Sequence, residues 1–136
     1  MRVTALIENT RLKDRDDLQP EFGLSLDVEV NGTRVLFDMG ASAEFANNAA
    51  ALGIDISEVD VAVVSHQHFG HGGGLEHFLE VNTRATVYLR QSPLAGRWFK
   101  ALAVIKRPIG IDLDLLDRFA DRIEFVSEMQ IGRAHV

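Results

Sequence analysis

The sequence predicts a mixed fold of helices and strands, of the α/β or α+β class. Segments typical of strands and of helices follow one another along the whole chain. The pair Asn31-Gly32, between two strand-like segments, indicates a β-hairpin. Val59 to Ser65 is almost continuously apolar, as in a strand that is buried on both faces. The 136 residues fit one domain.

The first half of the chain predicts three strands and one helix. Arg2 to Glu8 is a short β-type segment, and residues 24–30 alternate between apolar and polar side chains, as in a half-buried strand. After the Asn31-Gly32 turn, Thr33 to Phe37 returns as the partner strand. Ser42 is the predicted N-cap of an alanine-rich helix that runs to Leu52 and is closed by Gly53.

The second half alternates strands with helices. A helix is expected to start near Gly74 and to present Leu75, Phe78 and Leu79 on one face. The remaining segments predict, in order, a strand, a helix, a short helix and a last strand: residues 85–89, 92–104, 113–119 and 122–126.

Composition excludes several classes of protein. The net charge of −6 argues against a general nucleic-acid binder, and no apolar run is long enough to span a bilayer. The chain has no cysteine, so any metal must be held by histidine, aspartate or glutamate. We expect a cytoplasmic protein with a small-molecule substrate, no nucleic-acid or membrane partner, and an undetermined oligomeric state.

One stretch of the chain is strongly basic. Six basic residues and no acid lie between positions 84 and 107: Arg84, Arg90, Arg97, Lys100, Lys106 and Arg107. They are either solvated surface charges or a rim that attracts an anionic substrate beside the active site. On the second interpretation, Arg97 and Lys100 are the candidate substrate-binding residues.

The most informative segment follows the predicted buried strand. His66, His68 and His71 are succeeded by a run of glycines from Gly72 to Gly74. On an extended segment, residues two apart point the same way, so His66 and His68 can hold one ion between them. Glycines behind them let the backbone turn tightly and approach a metal closely. Because neutral imidazole is the commonest protein ligand of zinc, this histidine loop, residues 66–73, predicts a metal site.

The segment Ser65-His66-Gln67-His68-Phe69-Gly70-His71 resembles the His-x-His-x-Asp-His signature of the metallo-β-lactamase superfamily. Further similarity points to the branch of proteins labelled 7,8-dihydropterin-6-methyl-4-(β-D-ribofuranosyl)-aminobenzene-5′-phosphate synthase-like. It is carried by residues 6–10, 22–26, 36–40, 52–55 and 109–112. The resemblance implies the N-terminal half of an αββα sandwich, with a mixed sheet and outer helices.

The resemblance also implies roles for individual residues. His66 and His68 would bind a first metal ion and His71 a second, with zinc expected and iron or manganese suited to the same ligands. Asp38 would be an outer carboxylate that orients a ligating histidine. Its alternative role is a strand-end carboxylate that accepts backbone N–H bonds in a turn.

Gly70 departs from the signature. The superfamily has at this position an aspartate that binds the second metal and orients the attacking water, and glycine supplies no such group. A sequence error, a natural lesion and a repurposed single-metal or metal-free protein would each account for it. The residue that performs catalysis is therefore not assigned.

The length is the second departure. Superfamily members are longer and supply further metal ligands from their second half, so this chain is expected to be a fragment whose own activity is impaired. Without that half, a sheet face at Leu24, Leu26, Val28 and Val35 would be uncovered. We expect a partial domain over residues 1–130. Residues 131–136 would be a non-native tail, because they can be encoded by ATCGGAAGAGCACACGTC, a sequencing-library adapter string; the alternative is a natural polar tail.

The resulting functional hypothesis is a metal-dependent hydrolase. It would act on an ester, phosphoester or cyclic bond of a small anionic metabolite, with two metal ions in the intact relative. The alternative is a non-catalytic descendant of the fold that serves as a ligand- or partner-binding module.

Overall fold

The computed structural model describes five ranges of the chain: residues 1–10, 14–21, 23–65, 74–90 and 113–126. The histidine loop, the predicted helix at 92–104 and the predicted tail at 131–136 lie outside these ranges. The bounds proposed for the domain and its tail therefore stay a prediction.

Within these ranges, six strands form one mixed sheet, in which the strand order follows the chain order. They are β1 (Arg2–Ile7), β2 (Ser25–Val30), β3 (Thr33–Phe37), β4 (Val61–Val64), β5 (Thr86–Arg90) and β6 (Ile123–Val126). The pairs β1–β2 and β2–β3 are antiparallel, whereas β3 to β6 are parallel. The predicted mixed fold and its mixed sheet are confirmed.

In the described part of the chain, three α-helices and a 3₁₀ turn lie between the strands. These are α1 (Glu44–Ala51), the 3₁₀ turn (Ile56–Glu58), α2 (Leu75–Val81) and α3 (Leu113–Arg118). Over the described ranges, none of the helices is long and apolar enough to cross a membrane.

Backbone conformation confirms two turns that the sequence predicts. Asn31 and Gly32 have φ angles of 50° and 80°, as a type I′ hairpin requires at both central positions. Gly53 ends α1 with a φ of 74°, which glycine adopts without the steric cost that a Cβ atom brings.

One face of the sheet carries the core. Strand residues such as Leu36, Ala62 and Val87 are fully buried with Phe45 of α1 and Phe78 of α2. The predicted inner face of α2 is confirmed, since Leu75, Phe78 and Leu79 are its buried residues.

The opposite face of the sheet is apolar and only half-buried. Leu26 pairs with Phe37, and Val28 pairs with Val35, in the β2–β3 register. Side chains alternate between faces along a strand, so these four residues share the face away from the buried Leu36. They include three of the four residues that the sequence predicts for this face.

Asp27 is a buried carboxylate on the core side of β2. It is 1% exposed, and its Oδ1 atom has no hydrogen-bond partner among the described residues, although the Arg34 guanidinium lies 3.5 Å away. Burial raises the pKa of Asp27, and the positive charge of Arg34 offsets this only in part. An acid whose pKa is higher in the folded state favours folding most when it is protonated.

We therefore expect Asp27→Asn to gain stability relative to the wild type as pH rises through the folded-state pKa of Asp27. In this pH range the wild type loses the stability that protonated Asp27 contributes, because ionised Asp27 is better solvated in the unfolded chain. Urea unfolding at about pH 4.5 and pH 7 measures the difference. Asp55→Asn is the matched control. Hydrogen bonds from Ser57 lower the pKa of Asp55, so this variant should instead lose stability relative to the wild type as pH rises. A gain for Asp27→Asn that shrinks towards neutral pH would contradict this assignment.

Candidate metal centre

The candidate site lies at the edge of the sheet where the parallel strands end. Asp38 follows β3, Ser65 follows β4, and Arg90 is the last residue of β5. Because β3, β4 and β5 run in the same direction, these residues meet at one edge. His66 is the next residue after Ser65, so the chain enters the histidine loop from this edge.

Asp38 holds the residue from which the histidine loop begins. Its side chain is fully buried, and Oδ1 and Oδ2 accept hydrogen bonds from the Ser65 N–H (2.7 Å) and hydroxyl (2.6 Å). The Asp38 N–H donates to the Val63 carbonyl at 2.8 Å, and φ is 58°. Asp38 is thus a strand-end carboxylate that accepts a backbone N–H bond. Its proposed orienting role towards a histidine stays a prediction.

Gly74 holds the other end of the histidine loop. A Cβ atom at this position would lie 2.5 Å from the Met39 carbonyl oxygen and 2.6 Å from that of Ser42. Phe45 closes the third side, with its Cε1 atom at 2.5 Å. Only glycine fits here, although the conformation of Gly74 as the N-cap of α2 is one that any residue can adopt (φ −87°). The β3–α1 loop, residues 38–42, therefore contacts both residues that flank the histidine loop.

Glu21 is a residue that the sequence analysis did not identify. Its Oε1 atom accepts hydrogen bonds from the Ala41 and Ser42 N–H groups at 2.8 and 3.1 Å, and Oε2 accepts from the Ser42 hydroxyl at 2.5 Å. In the sequence, Glu21 is distinguished only as one of several acidic residues within positions 14–21, which does not predict this role.

The prediction that Ser42 is the N-cap of α1 is wrong. The N-cap is Ala43, which makes no side-chain capping bond, and the Ser42 hydroxyl donates to Glu21 instead. That hydroxyl still accepts from the Glu44 N–H, at 3.3 Å. Glu21 is remote in sequence, so local pattern alone does not find this arrangement.

Arg84 does not belong to a rim at the site. It precedes β5, at the edge of the sheet opposite Ser65, and its guanidinium donates to Asp60 at 2.8 Å and to the Glu58 carbonyl at 2.6 Å. Of the other basic residues in the stretch, Arg90 lies at the edge shared with Asp38 and Ser65. Arg97, Lys100, Lys106 and Arg107 lie outside the described residues.

The His77 side chain is half-buried on α2. Its ring packs edge-on against Phe45, with ring centroids 6.3 Å apart. It also lines a groove of about 440 Å³ beside α1 and the 3₁₀ turn. His77 thus lies just beyond the histidine loop and packs against Phe45, one wall of the Gly74 cradle.

Comparison with known proteins assigns the family. The sequence model of the metallo-β-lactamase superfamily matches residues 19–126, most of the chain. The chain belongs to the metallo-β-lactamase superfamily. The six-stranded mixed sheet with its helices is the corresponding part of that fold.

One curated relative and two solved structures illustrate the similarity. The 7,8-dihydropterin-6-methyl-4-(β-D-ribofuranosyl)-aminobenzene-5′-phosphate synthase of Methanocaldococcus jannaschii is 36% identical over 74 residues, which cover 50% of this chain and 25% of that protein. The Rm3 metallo-β-lactamase is 27% identical, with a TM-score of 0.45 and coverage of 57% of this chain and 29% of the other. BJP-1 of Bradyrhizobium japonicum, a subclass B3 metallo-β-lactamase, is 18% identical, with a TM-score of 0.43 and coverage of 48% and 25%. The chain spans about a quarter of the length of the curated relative.

Superfamily membership indicates a metallo-hydrolase type of chemistry and a fold that generally binds metal ions, commonly zinc. It favours this class over the non-catalytic binding module. Over the described ranges, no three histidine, aspartate or glutamate side chains converge on one point. The predicted ligands His66, His68 and His71, together with Gly70, lie outside those ranges.

The described surroundings fit a metal site in the histidine loop. The buried Asp38 carboxylate fixes one end of the loop, and the cradle that only glycine fits at Gly74 fixes the other. The sequence supplies three imidazole side chains between these two ends, and imidazole nitrogen is a donor that suits zinc. Rigid attachment of this kind is what a preorganised ligand loop requires.

Proposed function

We propose that this chain carries the histidine-loop part of the metal site of a hydrolase that acts on an ester, phosphoester or cyclic bond of a small anionic metabolite. The observation that carries the proposal is the hydrogen bond that the Ser65 N–H, directly before His66, donates to the buried Asp38 carboxylate. The superfamily match over residues 19–126 supports the same class of chemistry.

In the proposed site, each residue has a separate task. His66 and His68 would bind one ion and His71 a second, as the superfamily resemblance implies. The Asp38 carboxylate accepts hydrogen bonds from both the N–H and the hydroxyl group of Ser65, and so keeps the end of β4 in register. When bound, zinc supplies Lewis-acid polarisation of the scissile bond and activation of water.

An anionic substrate is proposed from two observations. The Methanocaldococcus jannaschii relative is named for a compound that carries a 5′-phosphate. In this chain, Arg90 lies at the sheet edge shared by Asp38 and Ser65, and Arg97 and Lys100 follow it closely in sequence. Positive charge beside a site raises the local concentration of an anion.

Zinc binding by single variants tests the proposed ligands. Zinc bound per chain would be measured by elemental analysis, and its affinity by competition with a chelating dye. We expect His66→Ala to weaken zinc binding by at least about 100-fold, since loss of an outer-shell partner alone costs about 10–100-fold. His77→Ala is the matched control for the loss of one imidazole, because His77 lies outside the histidine loop on α2, and its zinc affinity should fall much less than that of His66→Ala. Equal affinities of the two variants, or no zinc in the wild type, would overturn the proposal.

Gly70→Asp extends the same measurement to the second metal position. Restoring the carboxylate should raise the zinc content of the chain, because an aspartate supplies the charged oxygen that glycine lacks. An unchanged zinc content would show that the second position is not formed by this part of the chain.

A further inference from the structure

Glu21 connects the first strand to the β3–α1 loop. Its own N–H donates to the Glu8 carbonyl, just beyond β1, at 3.2 Å. Among the described residues, its carboxylate accepts three hydrogen bonds, from Ala41 and Ser42. Charge-assisted bonds of this kind are stronger than those between neutral groups. The position of residues 41 and 42 is therefore set by a side chain that is remote in sequence.

The β3–α1 loop is shaped around this carboxylate. Gly40 has a φ of 68°, and a Cβ atom there would lie 2.9 Å from the Glu21 Oε1 atom and 3.1 Å from Ile7. The Gly40 N–H donates to the Leu24 carbonyl at 2.9 Å, which fixes the loop against β2 as well. A side chain at Gly40 would displace the Glu21 carboxylate.

The same loop holds both ends of the histidine loop. At one end, the two carboxylate oxygens of Asp38 accept hydrogen bonds from Ser65. At the other, the carbonyl groups of Met39 and Ser42 close around Gly74. A shift of residues 41 and 42 would move the Ser42 carbonyl and hence one wall of the Gly74 cradle.

We propose that Glu21 is a positioning residue for the histidine loop. It acts through the β3–α1 loop, which sets the separation of Ser65 and Gly74 and so the geometry available to the residues between them. The inference rests on the proposed function in one respect, that the histidines bind a metal. It requires no contact between Glu21 and that metal.

The test compares two variants of Glu21 with a matched control. Glu21→Ala removes all three hydrogen bonds. Glu21→Gln keeps one carbonyl oxygen, which can still accept from the Ala41 and Ser42 N–H groups. Glu44→Gln is the control, because it removes the same charge nearby at a carboxylate that accepts, among the described residues, a single exposed side-chain bond, from the Asn47 amide.

Backbone amide hydrogen exchange supplies a readout that needs no metal. The reporter is the Ser65 N–H, bonded to Asp38, and the reference is the Val87 N–H, bonded to the Arg122 carbonyl in the sheet. We expect Glu21→Ala to speed exchange at Ser65 by about 10-fold with little change at Val87, and Glu21→Gln to give an intermediate effect. Equal acceleration at both amides would mean that Glu21 only stabilises the whole domain, and the inference would be wrong.

Zinc affinity supplies the second readout. Glu21→Ala should weaken zinc binding by about 10–100-fold, as loss of supporting residues does in other metal sites, while Glu44→Gln stays at the wild-type value. Unchanged zinc affinity in Glu21→Ala, with zinc bound normally by the wild type, would overturn the positioning role alone. Absence of zinc from the wild type would instead count against the proposed function, and the exchange measurement would still decide the role of Glu21.

Discussion

Replacing Gly74 with alanine is expected to lower the free energy of unfolding by about 3 kcal/mol, since insertion of a methyl group into a closely packed site costs this much where the surroundings cannot yield. The methyl group would lie 2.5–2.6 Å from the Met39 and Ser42 carbonyl oxygens and from Phe45. Two of these neighbours are backbone atoms, so α2 or the β3–α1 loop must move. Urea unfolding followed by circular dichroism measures the loss.

Gly53→Ala is the control for Gly74→Ala, because it isolates the other reason for which glycine is required. Nothing lies within 4 Å of a Cβ atom at Gly53, but its φ is 74°. The cost should therefore be about 1 kcal/mol, from backbone strain alone. Zinc affinity should fall in Gly74→Ala and not in Gly53→Ala. If both variants lose the same stability, the Gly74 cradle is looser than its distances indicate.

The second large effect is expected for Asn82→Asp. The Asn82 side chain is fully buried, and its Nδ2 atom donates to the carbonyls of Ile56 and Val59, both at 3.0 Å. Its Oδ1 atom accepts from the N–H groups of Arg84 and Ala85 at 3.0 and 2.8 Å. A carboxylate of the same shape would place a charged oxygen against two carbonyl oxygens. We expect a loss of about 3 kcal/mol, the scale of an uncompensated buried charge.

Asn47→Asp provides the comparison for Asn82→Asp. It makes the same chemical change on an exposed side chain of α1, whose amide donates a hydrogen bond to Glu44. Its effect should stay within about 0.5 kcal/mol, as for most surface substitutions. Chemical unfolding of both variants at neutral pH gives the two values. A loss below about 1 kcal/mol for Asn82→Asp would mean that Arg122, whose Nη2 lies 3.5 Å from the Asn82 Oδ1, neutralises the new charge.

The elements that the sequence predicts correctly are those with a local cause. The hairpin at Asn31-Gly32 and the helix end at Gly53 follow from positive φ angles, which these residue types tolerate. The inner face of α2 follows from the spacing of three apolar residues. Each of these signals is contained within a few neighbouring positions.

The features that the sequence does not predict depend on contacts between distant segments. Ser42 is an ordinary capping residue in sequence, and only the folded chain places its hydroxyl beside Glu21. Arg84 belongs to a basic stretch, but the direction of β5 puts it at the edge away from Ser65. Asn82 gives no sequence signal, because its partners lie on either side of β4 in the chain. Composition and periodicity contain none of this information.

The strand order has a consequence for how the molecule assembles. Each strand of the sheet pairs with the strand that precedes it in the chain, from β1 to β6. Every new strand therefore finds its partner already made when the chain emerges from the ribosome, and no early strand must wait for a late one. Pairing between strands adjacent in sequence keeps each loop that must close shorter than pairing with a more distant strand would, and so limits the entropy lost on closing it. The sheet can thus grow in one direction during synthesis, and the Asp38–Ser65 attachment can form as soon as β4 has been added.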